Sequence, residues 1–160
     1  MANRPSNITL RFLAEPMDVN FGGNVHGGTV MKWIDQAAYT CATAWSREYC
    51  VTVYVGGIRF LKPIRIGHLV EANAKVIYTG KSSLHIMVDI YSGDPKRDNP
   101  QKTTNCIIIF VAVDDAGKPI PIKKWKAKTE EEKKLEQYAQ ILMERRKAIH
   151  QEHEKIFGKG

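Results

Sequence analysis

The sequence predicts an α+β fold: one long helix among antiparallel strands, with a second helix at the end of the chain. Three observations carry that prediction. Residues 29–47 run without a proline or glycine through a mostly apolar stretch of helical period. Four strand-like segments follow it, each bounded by turn residues. A last amphipathic stretch opens at Thr129 with Glu130, Glu131 and Glu132 filling its first turn, the charge that the positive end of a helix dipole favours. A buried helix followed by a block of strands is an α+β plan, since an α/β chain alternates the two.

The elements follow in order. Residues 8–13 alternate apolar and polar and form a first strand. Residues 16–23 form a loop leading to the main helix. Residues 51–61 form the next strand, interrupted by Gly56-Gly57, which predicts a bulge or a close backbone contact. Residues 69–79 and 84–91 are strands joined by the short turn Gly80-Lys81-Ser82-Ser83. After a polar loop at 92–101 with Pro95 and Pro100, residues 103–113 form the most apolar strand, with Ile107-Ile108-Ile109-Phe110-Val111 at its centre. This strand is apolar on both faces, which predicts that a second copy of the chain covers it. Asp114-Asp115-Ala116-Gly117-Lys118-Pro119 ends the sheet. The terminal helix has an apolar stripe of Leu135, Tyr138, Ala139, Leu142 and Ile149. The expected organisation is a domain at 1–125 and a basic helical extension at 126–160.

A chain of 160 residues is long enough for one domain with a full core. No apolar stretch approaches the roughly 20 residues that cross a bilayer. The opening Met1-Ala2-Asn3-Arg4-Pro5-Ser6 lacks the apolar segment of a secretion signal, so a cytoplasmic protein with no membrane partner is expected. Cys41, Cys50 and Cys106 are odd in number, form no CxxC pair and sit among apolar neighbours; buried free thiols are expected. The five histidines are scattered without metal-ligand spacing, so no metal site is expected. The net charge of +7 is mostly late: residues 118–160 hold 12 Lys+Arg against 7 Asp+Glu, and residues 1–117 hold 12 against 10. A basic tail suits nucleic acid, acidic lipid or a polyanionic small ligand, and often only solvates a helix.

The chemistry concentrates in Gly22-Gly23-Asn24-Val25-His26-Gly27-Gly28, which leads directly into the main helix. Glycines allow close backbone approach, and a helix start offers unpaired N–H groups at the positive end of the dipole. Together they form a cradle for an oxyanion or a polarised carbonyl. On a wheel at roughly 100° per residue, Thr29, Lys32, Gln36, Thr40, Thr43 and Arg47 share one polar stripe. Asp35 falls off that stripe, nearer Met31, Ala38 and Ala42. A carboxylate at an apolar boundary needs a partner or a catalytic task. A cradle for a carbonyl with a nearby carboxylate is suited to acyl-group hydrolysis. Asn24 either stabilises its own turn or bonds a substrate carbonyl or a water, and His26 is either a base or a structural bond beside Gly27-Gly28. His68 and His85 read as structural, and His150 and His153 as solvated.

Four segments in order carry a family resemblance: Asn24-Val25-His26-Gly27-Gly28 with Met31-Lys32-Trp33-Ile34-Asp35; Phe60 to Val70; Tyr78 to Ser83; and Phe110 to Asp114 with Gly117 to Pro121. Across roughly residues 8–122 the chain resembles the hotdog-fold acyl-CoA thioesterases, in the branch of broad-specificity cytosolic acyl-CoA hydrolases. The hotdog fold is the α+β plan with the sheet wrapped around the helix. The resemblance implies Asp35 as catalytic carboxylate and Asn24 as second catalytic residue, facing each other from two subunits. It implies that His26, Gly27 and Gly28 position and polarise the thioester. It places Arg59, Phe60, Lys62, Pro63, Gly80, Lys81, Ser82 and Ser83 along the coenzyme A channel. No cofactor is implied, since coenzyme A is part of substrate and product; the expected partners are acyl-CoA and further copies of the chain, a homodimer building a homohexamer. The sequence departs from the family at Gly56, where an acidic residue is expected, and at Arg59, where a small polar one is commoner.

Asp35 acts either as general base on water or as nucleophile giving an anhydride; the general base is expected, since one carboxylate with a neighbouring amide suffices to position water. The competing readings are a hotdog enoyl-CoA hydratase or dehydratase using His26 with Asp35, and a non-catalytic acyl-CoA or nucleotide binder. A nucleic-acid binder built on Trp125 among Lys123, Lys124 and Lys126 has the weakest support, and no nucleic-acid partner is expected.

Overall fold

The computed structural model describes residues 3–160, leaving Met1 and Ala2 of the N-terminal reading outside it. In chain order the elements are β1 (Asn7–Leu13), a 3-10 turn (Pro16–Asp18), α1 (Gly27–Ser46), β2 (Cys50–Phe60), β3 (Leu69–Thr79), β4 (Ser83–Gly93), β5 (Gln101–Ala112) and α2 (Glu130–Phe157). The five strands form one sheet in the order β1-β3-β4-β5-β2, every pair antiparallel. This is the hotdog arrangement that the resemblance implied, with α1 against the sheet and α2 added at the end. The chain divides into two compact units, Met1–Trp125 and Lys126–Gly160.

In the first unit, α1 presents Val30, Ile34, Ala37, Ala38, Cys41 and Trp45 to the core. Small side chains at three of these positions let the helix axis approach the strands. The sheet answers with alternate residues: Val70, Ala72 and Ala74 on β3, Leu84, Ile86 and Val88 on β4, and Cys106, Ile108 and Phe110 on β5, all at most 1% exposed. Trp45 closes the far end of the helix, its indole N–H donating to the Lys123 carbonyl at 2.8 Å. The segment after β5 runs past the β3–β4 turn, where Ile122 N–H donates to Lys81 O and Trp125 N–H to Thr79 Oγ1, each at 2.9 Å.

Strand β5 corrects one expectation. Its two faces are both buried within a single chain: Cys106, Ile108 and Phe110 on one, and Ile107 at 7% and Ile109 at 5% on the other. Its apolar character therefore gives no argument for a second copy. The uncovered apolar surface lies on β2 instead. This edge strand exposes Val53 (52%), Tyr54 (41%) and Val55 (41%) and pairs only with β5.

Strand β2 is also where the pleat breaks. Its register against β5 shifts between Thr52 and Tyr54 and again between Gly56 and Arg59, and Gly57 adopts φ +64°. The predicted Gly56-Gly57 irregularity is this second bulge. The Tyr54 ring lies across Gly56, so a side chain there would displace that ring.

In the second unit, Thr129 and Glu132 form a reciprocal capping box: Glu132 N–H donates to Thr129 Oγ1 and Thr129 N–H to Glu132 Oε2, each at 3.1 Å. Of the expected stripe, Ala139 is buried, Leu135 and Leu142 are half-buried, and Tyr138 and Ile149 are exposed. The helix is not itself basic, since six cations meet seven acids over residues 130–157. The positive excess precedes it, in Lys118, Lys123, Lys124, Lys126 and Lys128. Among the described residues, no helix is long and apolar enough to cross a membrane.

Candidate active site

The glycine-rich run folds into a small hairpin that delivers the chain to α1. Val19 bridges Val25 in antiparallel fashion, and Asn20 N–H donates to Asn24 O at 2.6 Å. Gly23 makes the reversal at φ +83°, a conformation that a side chain would oppose. Inside the turn the Asn20 side chain is held from both sides, its Oδ1 accepting from Gly22 N–H at 2.8 Å and from Asn24 N–H at 3.1 Å. Two N–H donors on one end identify that end as oxygen, so Asn20 Nδ2 points the other way and finds no acceptor among the described residues.

His26 is the N-cap of α1. Its Nδ1 accepts the Gly28 N–H at 2.9 Å, and its carbonyl accepts those of Thr29 and Val30. The imidazole is thus a cap that consumes one of the two glycine donors. Gly27 keeps the first-turn N–H that finds no acceptor among the described residues. The Phe60 ring passes over this glycine, 3.8 Å from where a Cβ would stand.

Gly27 opens onto a cleft of about 310 Å³. Asn20 and Asn24 form one wall, and Phe60, Leu61, Lys62 and Pro63 the other. Val25, Val30, Ile64 and Thr104, all 6% exposed or less, make its floor. Lys62 Nζ is bonded to Gln101 Oε1 at the rim.

Asp35 lies elsewhere. It is half-buried on α1, and its Oδ1 accepts a hydrogen bond from Thr52 Oγ1 on β2 at 2.8 Å. Met31 and Tyr39, one turn to either side, are 43% and 38% exposed. The carboxylate therefore sits between exposed apolar side chains of α1, and Val53, next to its partner Thr52 on β2, is exposed as well. Thr52 is a partner that the sequence reading missed. Only the pairing of β2 with its neighbours brings a residue 17 positions away onto Asp35.

The thioesterase superfamily model matches residues 22–98. The acyl-CoA thioester hydrolase YciA of Salmonella typhimurium is 33% identical over 127 residues, covering 76% of this chain and 95% of the relative. The chain belongs to the thioesterase superfamily. Among solved structures, the acyl-CoA hydrolase of Staphylococcus aureus, in complex with butyryl coenzyme A, coenzyme A and coenzyme A disulfide, matches with a TM-score of 0.85 and 30% identity, covering 94% of this chain and 92% of that one. That enzyme has also been solved as single alanine variants of an asparagine, an aspartate and a threonine. A hexameric thioesterase from Yersinia pestis matches with a TM-score of 0.68 and 36% identity over 72% of this chain and 93% of that one.

As a thioesterase, this chain is a thioester hydrolase whose expected site residues fall into four places. Asn24, Gly27, Phe60, Lys62 and Pro63 share the cleft. Asp35 stands with Thr52 outside the cleft. The turn of Gly80, Lys81, Ser82 and Ser83 is tied instead to the segment after β5, Ala112 N–H donating to Ser82 O and Ile122 N–H to Lys81 O at 2.9 Å each. The Ser83 hydroxyl packs into the space beside Gly80 that a side chain there would occupy. Arg59 is exposed beside the β2 bulge. The three thiols are buried and free; burial pushes Cys41 up to about 12 and Cys106 up to about 11, and it raises Cys50 as well.

Proposed function

We propose that this thioesterase hydrolyses acyl-CoA to a carboxylic acid and coenzyme A, at a site that two copies of the chain complete together. The observation that carries the proposal is the separation of the two halves. Carbonyl-binding donors line the cleft, while the carboxylate lies outside it on uncovered apolar surface. The names of the relatives and the coenzyme A complexes of the Staphylococcus aureus enzyme support the substrate class, and hexameric relatives support an assembly of several copies. The exposed edge of β2 beside Asp35 is the surface suited to the second copy. A trimer of such dimers is the proposed full assembly.

In this reading the thioester oxygen accepts from the free Gly27 N–H and from an asparagine amide. Spacing favours Asn20 for that amide over Asn24, where the sequence expectation put it. The three positions replaced in the Staphylococcus aureus enzyme are 15 and 17 residues apart, as are Asn20, Asp35 and Thr52 here. Asn20 also has the locked carbonyl end and the free Nδ2 that the task needs. Asp35, held by Thr52 through Oδ1, keeps Oδ2 for a water. It takes the water's proton as the oxygen attacks the carbonyl carbon. The oxyanion collapses, the C–S bond breaks, and the thiolate leaves and receives that proton. Lys62, Lys81 and Arg59 supply cations for the phosphates of coenzyme A, with Phe60, Pro63 and the Gly80–Ser83 turn along its path. No cofactor enters this scheme. The deciding experiment is thiol release from butyryl-CoA and longer esters, against hydration of an enoyl-CoA. Hydration without thiol release refutes the proposal.

A further inference from the structure

The floor of the cleft holds one feature that acyl-CoA hydrolysis as such does not require. Thr104 lies on β5, opposite Phe60 of β2 and Ile90 of β4, and is 1% exposed. Its Oγ1 is the one buried side-chain nitrogen or oxygen among the described residues without a hydrogen-bond partner. Other buried hydroxyls are satisfied: Thr103 Oγ1 donates to Ile90 O at 3.1 Å, Ser46 Oγ donates to Ala42 O at 2.8 Å, and Thr79 Oγ1 accepts from Trp125 N–H at 2.9 Å. Valine would fill the Thr104 site with the same branched shape and leave no polar atom unpaired. A buried polar group without a partner is costly and calls for an explanation.

We propose that the Thr104 hydroxyl selects acyl groups carrying a hydroxyl or oxo oxygen close to the thioester, as 3-hydroxyacyl and 3-oxoacyl esters do. The inference rests on the acyl-CoA reading above and names a substrate class within it. With the thioester carbonyl at Gly27 N–H, the acyl chain runs over Val25, Val30 and Ile64, and Thr104 is the single polar side chain on that floor. Thr104 pairs with Phe60, whose ring passes over Gly27, so the floor hydroxyl and the Gly27 N–H border the same part of the cleft. A hydroxyl both donates and accepts, so it serves a 3-hydroxyl and a 3-oxo group alike. The floor contains no cation, and Lys62 at the rim is bonded to Gln101. A carboxylate-bearing acyl chain therefore has no counter-charge there.

The test compares 3-hydroxybutyryl-CoA with butyryl-CoA, by thiol release, for the wild type, Thr104→Val and Thr104→Ser. The expected result is a kcat/KM ratio of the two esters that falls about tenfold in Thr104→Val, on the scale of leaving a ligand hydroxyl unpaired. Thr104→Ser restores most of the ratio. An unchanged ratio in a folded Thr104→Val variant overturns the inference while the thioesterase reading stands, as does an equal loss on both esters. Failure of the wild type to release thiol from either ester overturns the acyl-CoA reading and this inference with it.

Discussion

Mixing two inactive variants tests whether the site is shared between copies. Asn20→Ala removes the free amide of the cleft, and Asp35→Ala removes the carboxylate outside it. Each homo-oligomer is then broken at every site, whichever way the halves meet. When the two are unfolded together in equal amounts and refolded, random pairing makes about half the dimers mixed. If the cleft of one copy faces Asp35 of the other, a mixed dimer has one site with both residues and one site with neither. Half the dimers with one site of two gives about one quarter of wild-type activity. If both residues of a site come from the same chain, every site in the mixture stays broken and nothing returns. The assay is thiol release from butyryl-CoA, with mixed dimers verified by differently tagged chains. Absence of recovery in verified mixed dimers refutes the shared site. Repeating the mixture with Asn24→Ala in place of Asn20→Ala separates the two asparagines: if Asn20 holds the carbonyl, Asn24→Ala alone keeps most of its activity.

Other outcomes follow from the same geometry. Asp35→Asn should lower turnover about 10²-fold or more while leaving the melting temperature nearly unchanged, since the residue is half-buried and keeps an acceptor for Thr52; a folded variant with most of its activity excludes the general-base role. His26→Ala removes the N-cap of α1 and should destabilise by about 1 kcal/mol, a melting shift of roughly 2–4 °C for a chain of this size, read by calorimetry. Lys81→Ala should raise KM for acyl-CoA several-fold, in line with an exposed ion contact of about 1 kcal/mol, and leave a short thioester without the nucleotide unaffected. The thiol pKa values raised by burial keep the three cysteines protonated at pH 8, where thiolate is the reactive form; iodoacetamide should label none of them in the folded protein and all three after unfolding, and rapid labelling of Cys41 or Cys106 would contradict their placement in the core.

Much of this molecule was determined by sequence alone, because the signals are local. Helical period over residues 29–47 and alternation in the four later segments give α1 and β2 to β5 nearly to their ends. Only β3, at Leu69–Thr79, coincides with its expected limits, since Gly67 at φ +80° and the Gly80 turn both stop it sharply. The glycines and His26 mark the start of α1, and burial of the three thiols follows from their apolar neighbours. Tertiary structure decided what depends on register and on covering. Two bulges in β2 set which of its side chains face outward, and no periodicity count foresees two resets of the pleat. The pairing of Thr52 with Asp35, the orphan hydroxyl of Thr104 and the burial of both faces of β5 each join residues far apart in the chain. The proposal of Asn20 over Asn24 draws, beyond spacing, on which amide end the hairpin locks, two hydrogen bonds that residue type does not reveal. Composition tells which groups are present; only the folded backbone tells which donors are already spent.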